Sequence, residues 1–345
     1  MYNPKFIITS YLLEKITEAE RHNTFISTQP LDIVLLRTLQ TETKCKLAYH
    51  STSIEGNPLT LPEVEAIAKG EKVPAGEKSI QEVKNYLAAL NWFWKGKNKV
   101  TEENLLHLHK IITQNILEVE KVGTYKKKQN YVVDAKGTII YIPPSPEETP
   151  TLVKDLITYI QNSKNVHPVI LSAIAHHRLV SIHPFSDGNG RSARAFSIWL
   201  LYLNGFDTNH IFALDEYYSE DRKLYYTKIQ QARELDNDLT YWIEYIAESV
   251  ASILKKTIER IKSLKLSISF PKISLTLSQE RILHIIMDKP GLTSRNLQQH
   301  TGLSRQRIHQ LLTPLFKSGV IIKKGKTWQT KYYVKMKHFN LSEKL

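Results

Sequence analysis

Residues Ile182–Arg194 read I-H-P-F-S-D-G-N-G-R-S-A-R, and no other stretch limits the chain so tightly. An apolar run with helical spacing precedes it (Val169, Ile170, Ala173, Ile174, Ala175, Leu179, Val180), and a second follows (Ala195, Phe196, Ile198, Trp199, Leu200, Leu203). Between the two predicted helices lies a loop ending at Gly188-Asn189-Gly190, where the second helix should begin. Glycines without a Cβ let backbone N–H groups turn inward, and a helix N-terminus adds partial positive charge, so the loop is a nest for phosphate. Arg191 and Arg194, three apart on the first turn, can reach one anion together. Asp187 sets a carboxylate beside the nest, as a Mg²⁺ shared with phosphate oxygens requires. His183 is the nearby group whose ordinary pKa suits proton transfer near neutrality. Together these residues describe a nucleotide-processing site.

His183, Phe185, Asp187, Gly188, Asn189, Gly190, Arg191 and Arg194 match every specified position of H-x-F-x-[D/E]-G-N-G-R-x-x-R. The chain thereby resembles the Fic family, over roughly residues 10–250. The resemblance implies a mainly α fold, a Fic-type helical bundle with a β-hairpin flap, and an activity: transfer of AMP from ATP to a hydroxyl side chain of a target protein. In that reaction His183 takes the proton of the attacking hydroxyl. Asp187 holds Mg²⁺, Gly188, Asn189 and Gly190 cradle phosphate oxygens, with Asn189 adding a side-chain donor, and Arg191 and Arg194 grip the β- and γ-phosphates. The same site is also compatible with removal of AMP from a modified protein or transfer of another phosphate-linked group. A non-enzymatic DNA-binding regulator is the weaker alternative, because no residue of the motif is missing.

Upstream, Asp32 reads as the N-cap of a long helix through Ile33, Leu36, Leu39 and Leu47. It ends in Ser51-Thr52-Ser53-Ile54-Glu55-Gly56-Asn57-Pro58, where Ser51 and Glu55 share a face. S-x-x-x-E-G is similar to the inhibitory motif of Fic proteins, which implies that Ser51 and Glu55 are inhibitory residues, Glu55 acting through a salt bridge to Arg194. Thr60, Pro62 and Glu63 carry a capping-box signature for the next helix. Tyr131–Val133 and Thr138–Ile142 are β-prone runs joined across residues 134–137, and Pro143-Pro144 ends the hairpin. The resemblance makes this hairpin, about 131–142, the flap on which a target protein docks as an added strand. Lys126 stands where the family commonly has Arg, and a lysine cannot bind bidentately. His176 aligns with a histidine common in the family, and with His177 it lacks the i, i+4 spacing of a metal pair, so a structural role is expected. Tyr225 or Tyr226 could stack on a base, although such spacing more often marks core.

Charge separates the chain into parts. The net charge of +13 is confined to the last quarter: residues 251–345 carry 19 Lys and Arg against 4 Asp and Glu, and the other 250 residues 28 against 30. That asymmetry suggests a separate module with an acidic partner, DNA or protein. Helical runs at Ser278–Met287, Ser294–His300 and Ser304–Lys317, then β-prone Val320–Lys323 and Thr330–Lys335, look like a winged helix-turn-helix. Arg305, Gln306, Arg307, His309 and Gln310 would meet phosphates and base edges, with Lys323, Lys324, Lys326 and Lys331 on the wing. Pro314 should kink the third helix. The expected division is an N-terminal helical region at 1–100 carrying an inhibitory helix at about 32–56, a catalytic core at 101–250, a helical linker at 251–272 and a winged helix at 273–345. A single cysteine, Cys45, reads as packing and excludes an internal disulfide. Met1-Tyr2-Asn3-Pro4-Lys5 lacks a signal-peptide layout and no apolar run reaches membrane length, so a cytoplasmic protein without membrane contact is expected. A homodimer is left open.

Overall fold

The computed structural model describes residues 2–96, 98–133, 136–207, 209–267, 275–325 and 330–334. They fall into two compact units, Met1–Gln29 with Gln40–Ile258, and Pro30–Leu39 with Glu259–Leu345.

In the first unit the helices are α1 Ser10–Thr28, α2 Ile33–Ile54 (from Gln40 onward), α3 Leu61–Ala68, α4 Glu77–Lys95, α5 Glu102–Thr113, α6 Thr149–Asn162, α7 Pro168–Ile182, α8 Asn189–Leu203, α9 Asp215–Glu220, α10 Arg222–Glu234 and α11 Thr240–Ser267 (to Ile258). Side-chain caps start many of them. Thr9 accepts from Leu12 N–H, Thr101 from Asn104 N–H, and the Glu63 carboxylate takes the Thr60 N–H at 2.8 Å to complete the expected box. α9 and α10 are separated at Asp221, which leaves helical geometry and caps α10, its side chain accepting from Leu224 N–H.

α7 is buried nearly all round, which its sequence, apolar on every face, requires. It packs most extensively on α8, and the Ser172 hydroxyl donates to the Ser197 carbonyl at 3.0 Å between them. Trp199 and Phe196 of α8 and Trp242 of α11 fill the surrounding core, Trp242 donating its Nε1–H to the Ala173 carbonyl at 2.8 Å. Aromatic side chains each bury roughly 150–250 Å², so this cluster dominates the apolar burial that holds the loop's two flanking helices. β1 (Val132–Val133) and β2 (Ile139–Tyr141) pair antiparallel as the expected hairpin, with Val133, Ile139 and Ile140 exposed. Of its turn, residues 134–135 lie outside the described residues. Cys45 is buried and its thiol is pushed up to about 11 by that burial, as a packing residue should be.

In the second unit, α12 (Leu277–Asp288), α13 (Ser294–Thr301) and α14 (Arg305–Lys317) pack on a three-stranded antiparallel sheet. Its order is β3-β5-β4, where β3 is Leu292–Thr293, β4 Ile321–Lys324 and β5 Lys331–Val334. β3 is too short to stand out in the sequence. The core comprises Ile282, Ile286, Leu297, Ile308, Leu312, Leu315, Ile321 and Tyr332, and Val34 from the first turn of α2 belongs to it. For that reason residues 30–39, assigned by sequence to the N-terminal region, fall with this unit. Asp32 caps α2 as expected, its Oδ1 accepting from Val34 and Leu35 N–H at 2.9 Å each. α14 runs on through Pro314, which lies near its C-terminus, where only one backbone hydrogen bond is forfeited. Arg305, Gln306, Arg307, His309 and Gln310 are all exposed, opposite the buried Ile308, Leu311 and Leu312. Lys323, Lys324 and Lys331 are exposed on the hairpin, whereas Lys326 lies outside the described residues.

Candidate active site

α7 stops at His183, whose backbone is left-handed (φ 51°), and Gly188 (φ 78°) opens α8. Only glycine suits the second position: besides the positive φ, a Cβ there would lie 2.8 Å from Thr113 Cγ2. A left-handed histidine is costly unless its surroundings hold it, and here they do. Lys126 N–H donates to the Pro184 carbonyl at 2.8 Å, and the Asn130 amide donates to the carbonyls of Phe185 at 2.9 Å and His183 at 3.3 Å. Asn189 folds back on the loop: its Oδ1 accepts from Phe185 N–H at 2.9 Å and its Nδ2 donates to the Phe185 carbonyl at 2.8 Å. Phe185 is fully buried and stacks on His109, with ring centroids 3.7 Å apart and planes 7° from parallel. Gly123 N–H donates to His109 Nδ1, which leaves the ring proton on Nε2 to donate to the Asp187 carbonyl at 3.0 Å. Burial pushes His109 down to about 4, so this neutral tautomer persists at physiological pH.

Burial also pushes His183 down to about 4; Lys126 and Arg233 press in the same direction, while the Val180 carbonyl and Glu55 oppose them. The ring is therefore unprotonated at neutrality. Its Nδ1 lies 3.4 Å from the Val180 carbonyl, the acceptor that places the proton on Nδ1 and leaves Nε2 free to accept. Lys126 is itself buried and pushed down to about 8 by that burial, its ammonium donating to Asn130 Oδ1 at 2.8 Å.

The two arginines are both buried and both paired. Arg191 Nη1 lies 3.2 Å from Glu82 Oε1 and its Nη2 3.6 Å from Asp187 Oδ1. Arg194, 1% exposed, donates through Nη2 to Glu55 Oε1 and to the Ser51 carbonyl, each at 2.8 Å, and through Nε to Ser51 Oγ at 2.9 Å. Burial works against its charge, but Glu55, Tyr225 and Asp215 outweigh it and hold the guanidinium firmly protonated. The Glu55 carboxylate lies over the start of α8, where a Cβ on Gly190 would collide with it. α2 thus ends by putting an anion over the first residues of α8. Asp187 Oδ1 accepts from Gly188 N–H at 2.5 Å, and its side chain is half exposed.

A profile for the Fic/DOC family matches residues 99–201, and one for winged helix-turn-helix DNA-binding domains matches 275–322. Protein adenylyltransferase fic-1 of Caenorhabditis elegans is 29% identical over 238 residues, which is 66% of this chain and 44% of that protein. Protein adenylyltransferase Fic of Drosophila melanogaster is 30% identical over 227 residues, 64% and 43% respectively. Among solved structures, a Fic family protein from Desulfovibrio desulfuricans superposes with a TM-score of 0.70 at 22% identity, covering 97% of this chain and 98% of that one. A Fic-domain signalling protein from Bacteroides thetaiotaomicron reaches 0.62 at 26% identity, covering 74% and 97%. Residues 99–201 therefore carry a Fic/DOC-type domain. The chain spans less than half the length of the curated relatives it matches.

Within this Fic fold, sequence reasoning found the motif and Glu55 but missed what supports them. His109, Asn130, Glu82, Asp215 and Tyr86 approach from α4, α5, the flap segment and α9, and no local pattern marks them. Asn189 engages the loop itself with one amide hydrogen, a bracing task added to the phosphate contact expected of it. His176 and His177 bond to the Tyr225 hydroxyl at 2.9 Å and the Ile229 carbonyl at 3.1 Å, the structural role their spacing suggested. Tyr225 is core, while Tyr226 is partly exposed.

Proposed function

We propose that this chain transfers AMP from ATP to a hydroxyl side chain of a protein and that Glu55 holds it in check. One observation carries the reading: the Glu55 carboxylate is bonded to Arg194 over the N-terminus of α8, where a nucleotide's terminal phosphates would bind. With Glu55 withdrawn, Arg194, Arg191 and the N–H groups of Gly188–Gly190 hold the polyphosphate and set the α-phosphorus in line with the incoming hydroxyl. His183 Nε2 takes the hydroxyl proton as the oxygen–phosphorus bond forms. The bond from the α-phosphorus to the bridging oxygen then breaks, and diphosphate leaves with those electrons. Asp187 suits Mg²⁺, since Oδ1 serves both protein contacts and the second oxygen remains for a cation. Among the described residues no group of three or more His, Cys, Asp or Glu is placed to bind a metal; phosphate oxygens and water would supply the other ligands of the ion. When bound, the ion would neutralise charge on the phosphates.

The target docks on the flap, whose exposed Val133, Ile139 and Ile140 suit an extended segment. The exposed arginines of α14 and lysines of the wing favour DNA as partner of the second unit. Among the described residues no helix is long and apolar enough to cross a membrane.

The test is incorporation of label from α-labelled ATP into protein, including self-modification. Glu55→Gly should raise it by roughly 10²–10³-fold, the equivalent of ~3–4 kcal/mol of barrier. An unaltered rate would remove the inhibitory role. Loss of AMP from a premodified protein, dependent on Glu55, would turn the assignment toward the reverse reaction.

A further inference from the structure

Arg194 is held from two sides, and the two have different fates. Ser51 and Glu55 arrive on α2 and belong to the inhibited state. Asp215 stands at the start of α9, its Oδ2 4.0 Å from Arg194 Nε. It is completely buried, and Tyr86 of α4 donates its hydroxyl to the same oxygen at 2.9 Å. Its other oxygen accepts no hydrogen bond among the described residues.

The edges of the guanidinium decide what this arrangement does. Nη2 reaches Glu55, and Nη1 lies against Gly190, 3.1 Å from where a Cβ would be, so the Nη edge faces the phosphate nest. Nε gives its one hydrogen to Ser51 Oγ, and Asp215 Oδ2 lies 4.0 Å from it, close enough to oppose the charge but taking no hydrogen bond from the guanidinium. A carboxylate behind the guanidinium opposes its charge without occupying the donors a phosphate needs. As a purely structural device it would be a poor choice, because a buried ion pair seldom stabilises more than apolar packing of the same volume. We propose that Asp215 is a positioning residue: fixed by Tyr86, it keeps Arg194 aimed at the nest once Glu55 has withdrawn. It also shares the arginine's charge and so limits how tightly Glu55 can lock it. This rests on the reading that Arg194 binds the nucleotide's phosphates.

Two consequences of opposite sign follow for Asp215→Asn, which keeps the side chain's size and its acceptor for Tyr86. In the Glu55→Gly background no carboxylate on α2 holds the Nη groups in place of Asp215, so Arg194 loses its aim at the nest, and this outweighs the removal of one negative charge nearby. Affinity for inorganic triphosphate, measured by calorimetry, should fall about tenfold, and KM for ATP should rise by a similar factor with a smaller change in kcat. With Glu55 present, the carboxylate at 55 becomes the sole opposing charge on Arg194, so residual label incorporation should fall several-fold. A merely structural lesion would loosen the lock and raise it. Triphosphate affinity within twofold of the Glu55→Gly parent, or raised incorporation in the otherwise unaltered protein, would overturn the proposal. If Asp215→Asn does not fold, Tyr86→Phe removes only the hydroxyl that fixes the carboxylate. It should weaken triphosphate binding two- to fivefold in the Glu55→Gly background, and unchanged binding there counts equally against the idea. A Glu55→Gly protein that binds triphosphate but incorporates nothing from ATP would instead refute the proposed activity, leaving the affinity comparison to judge Asp215.

Discussion

His183 and its brace work as one unit. Replacing His183 by Ala removes the proton acceptor but none of the groups facing phosphate, so transfer in the Glu55→Gly background should drop by roughly 10²–10⁴-fold while ATP binding persists. Turnover within threefold of the parent would exclude His183 as base. Burial holds that imidazole down at about 4, and the acid side of the rate profile should follow it. Activity should be level from pH 8 to about 5 and decline only toward 4. A midpoint near 6.5 would mean that the ring titrates as if exposed. Asn130→Ala frees the Phe185 and His183 carbonyls from the flap segment. A lost buried hydrogen bond costs roughly 1–3 kcal/mol, and kcat should fall more than ATP affinity, because the loop that aims His183 loosens while the nest and arginines remain.

At the scale of the element, the last turn of α2 contributes two side chains to one arginine, the contact proposed to restrain the site. The Ser51 hydroxyl accepts from Arg194 Nε and its carbonyl from Nη2. Ser51→Ala keeps the carbonyl and loses the hydroxyl, a difference of roughly 1–1.5 kcal/mol. Label incorporation should therefore rise about five- to tenfold, well short of Glu55→Gly. Equal activation by both variants would mean that the helix end detaches as a whole. The helix is also fastened along its length, with Lys46 Nζ 2.8 Å from Glu216 Oε2 and His50 Nδ1 2.5 Å from the Ser219 hydroxyl, both partners on α9.

For the whole molecule, His50, His109, His176, His177 and His183 are all held below the ordinary 6.5, chiefly by burial. The unfolded chain takes up these protons first as pH falls below 6.5. Stability is thus full above 6.5 and declines as pH drops toward 4. Asp207, pushed up to about 7 by burial, and Asp215, also raised by it, act in the opposite sense, but two groups oppose five. The melting temperature should fall steadily from pH 7 to 4, and a rise over that interval would contradict the buried neutral histidines. If the second unit binds DNA, Arg305→Ala and Arg307→Ala should each weaken binding and flatten the salt dependence by about one counterion. Salt-independent binding would point to a protein partner.

By itself the sequence determined what is local. Apolar spacing at 3.6 residues set α7 and α8, the glycines set the turn between them, and caps at Asp32 and Thr60 set helix starts, because each depends on residues a few positions apart. The glycine loop and the two arginines on the first turn after it were legible for the same reason. S-x-x-x-E-G was legible as a pattern, but that Glu55 meets Arg194, 139 positions away, is a tertiary fact. So are Asp215 behind the arginine, Glu82 beside Arg191, and His109 and Asn130 beneath the loop. The break at Asp221 and the pairing of α2's first turn with the winged-helix core were likewise settled only when the helices had been packed. Burial decided the rest: the ordinary pKa that made His183 conspicuous in the sequence is displaced to about 4 by desolvation, which no spacing of residues encodes.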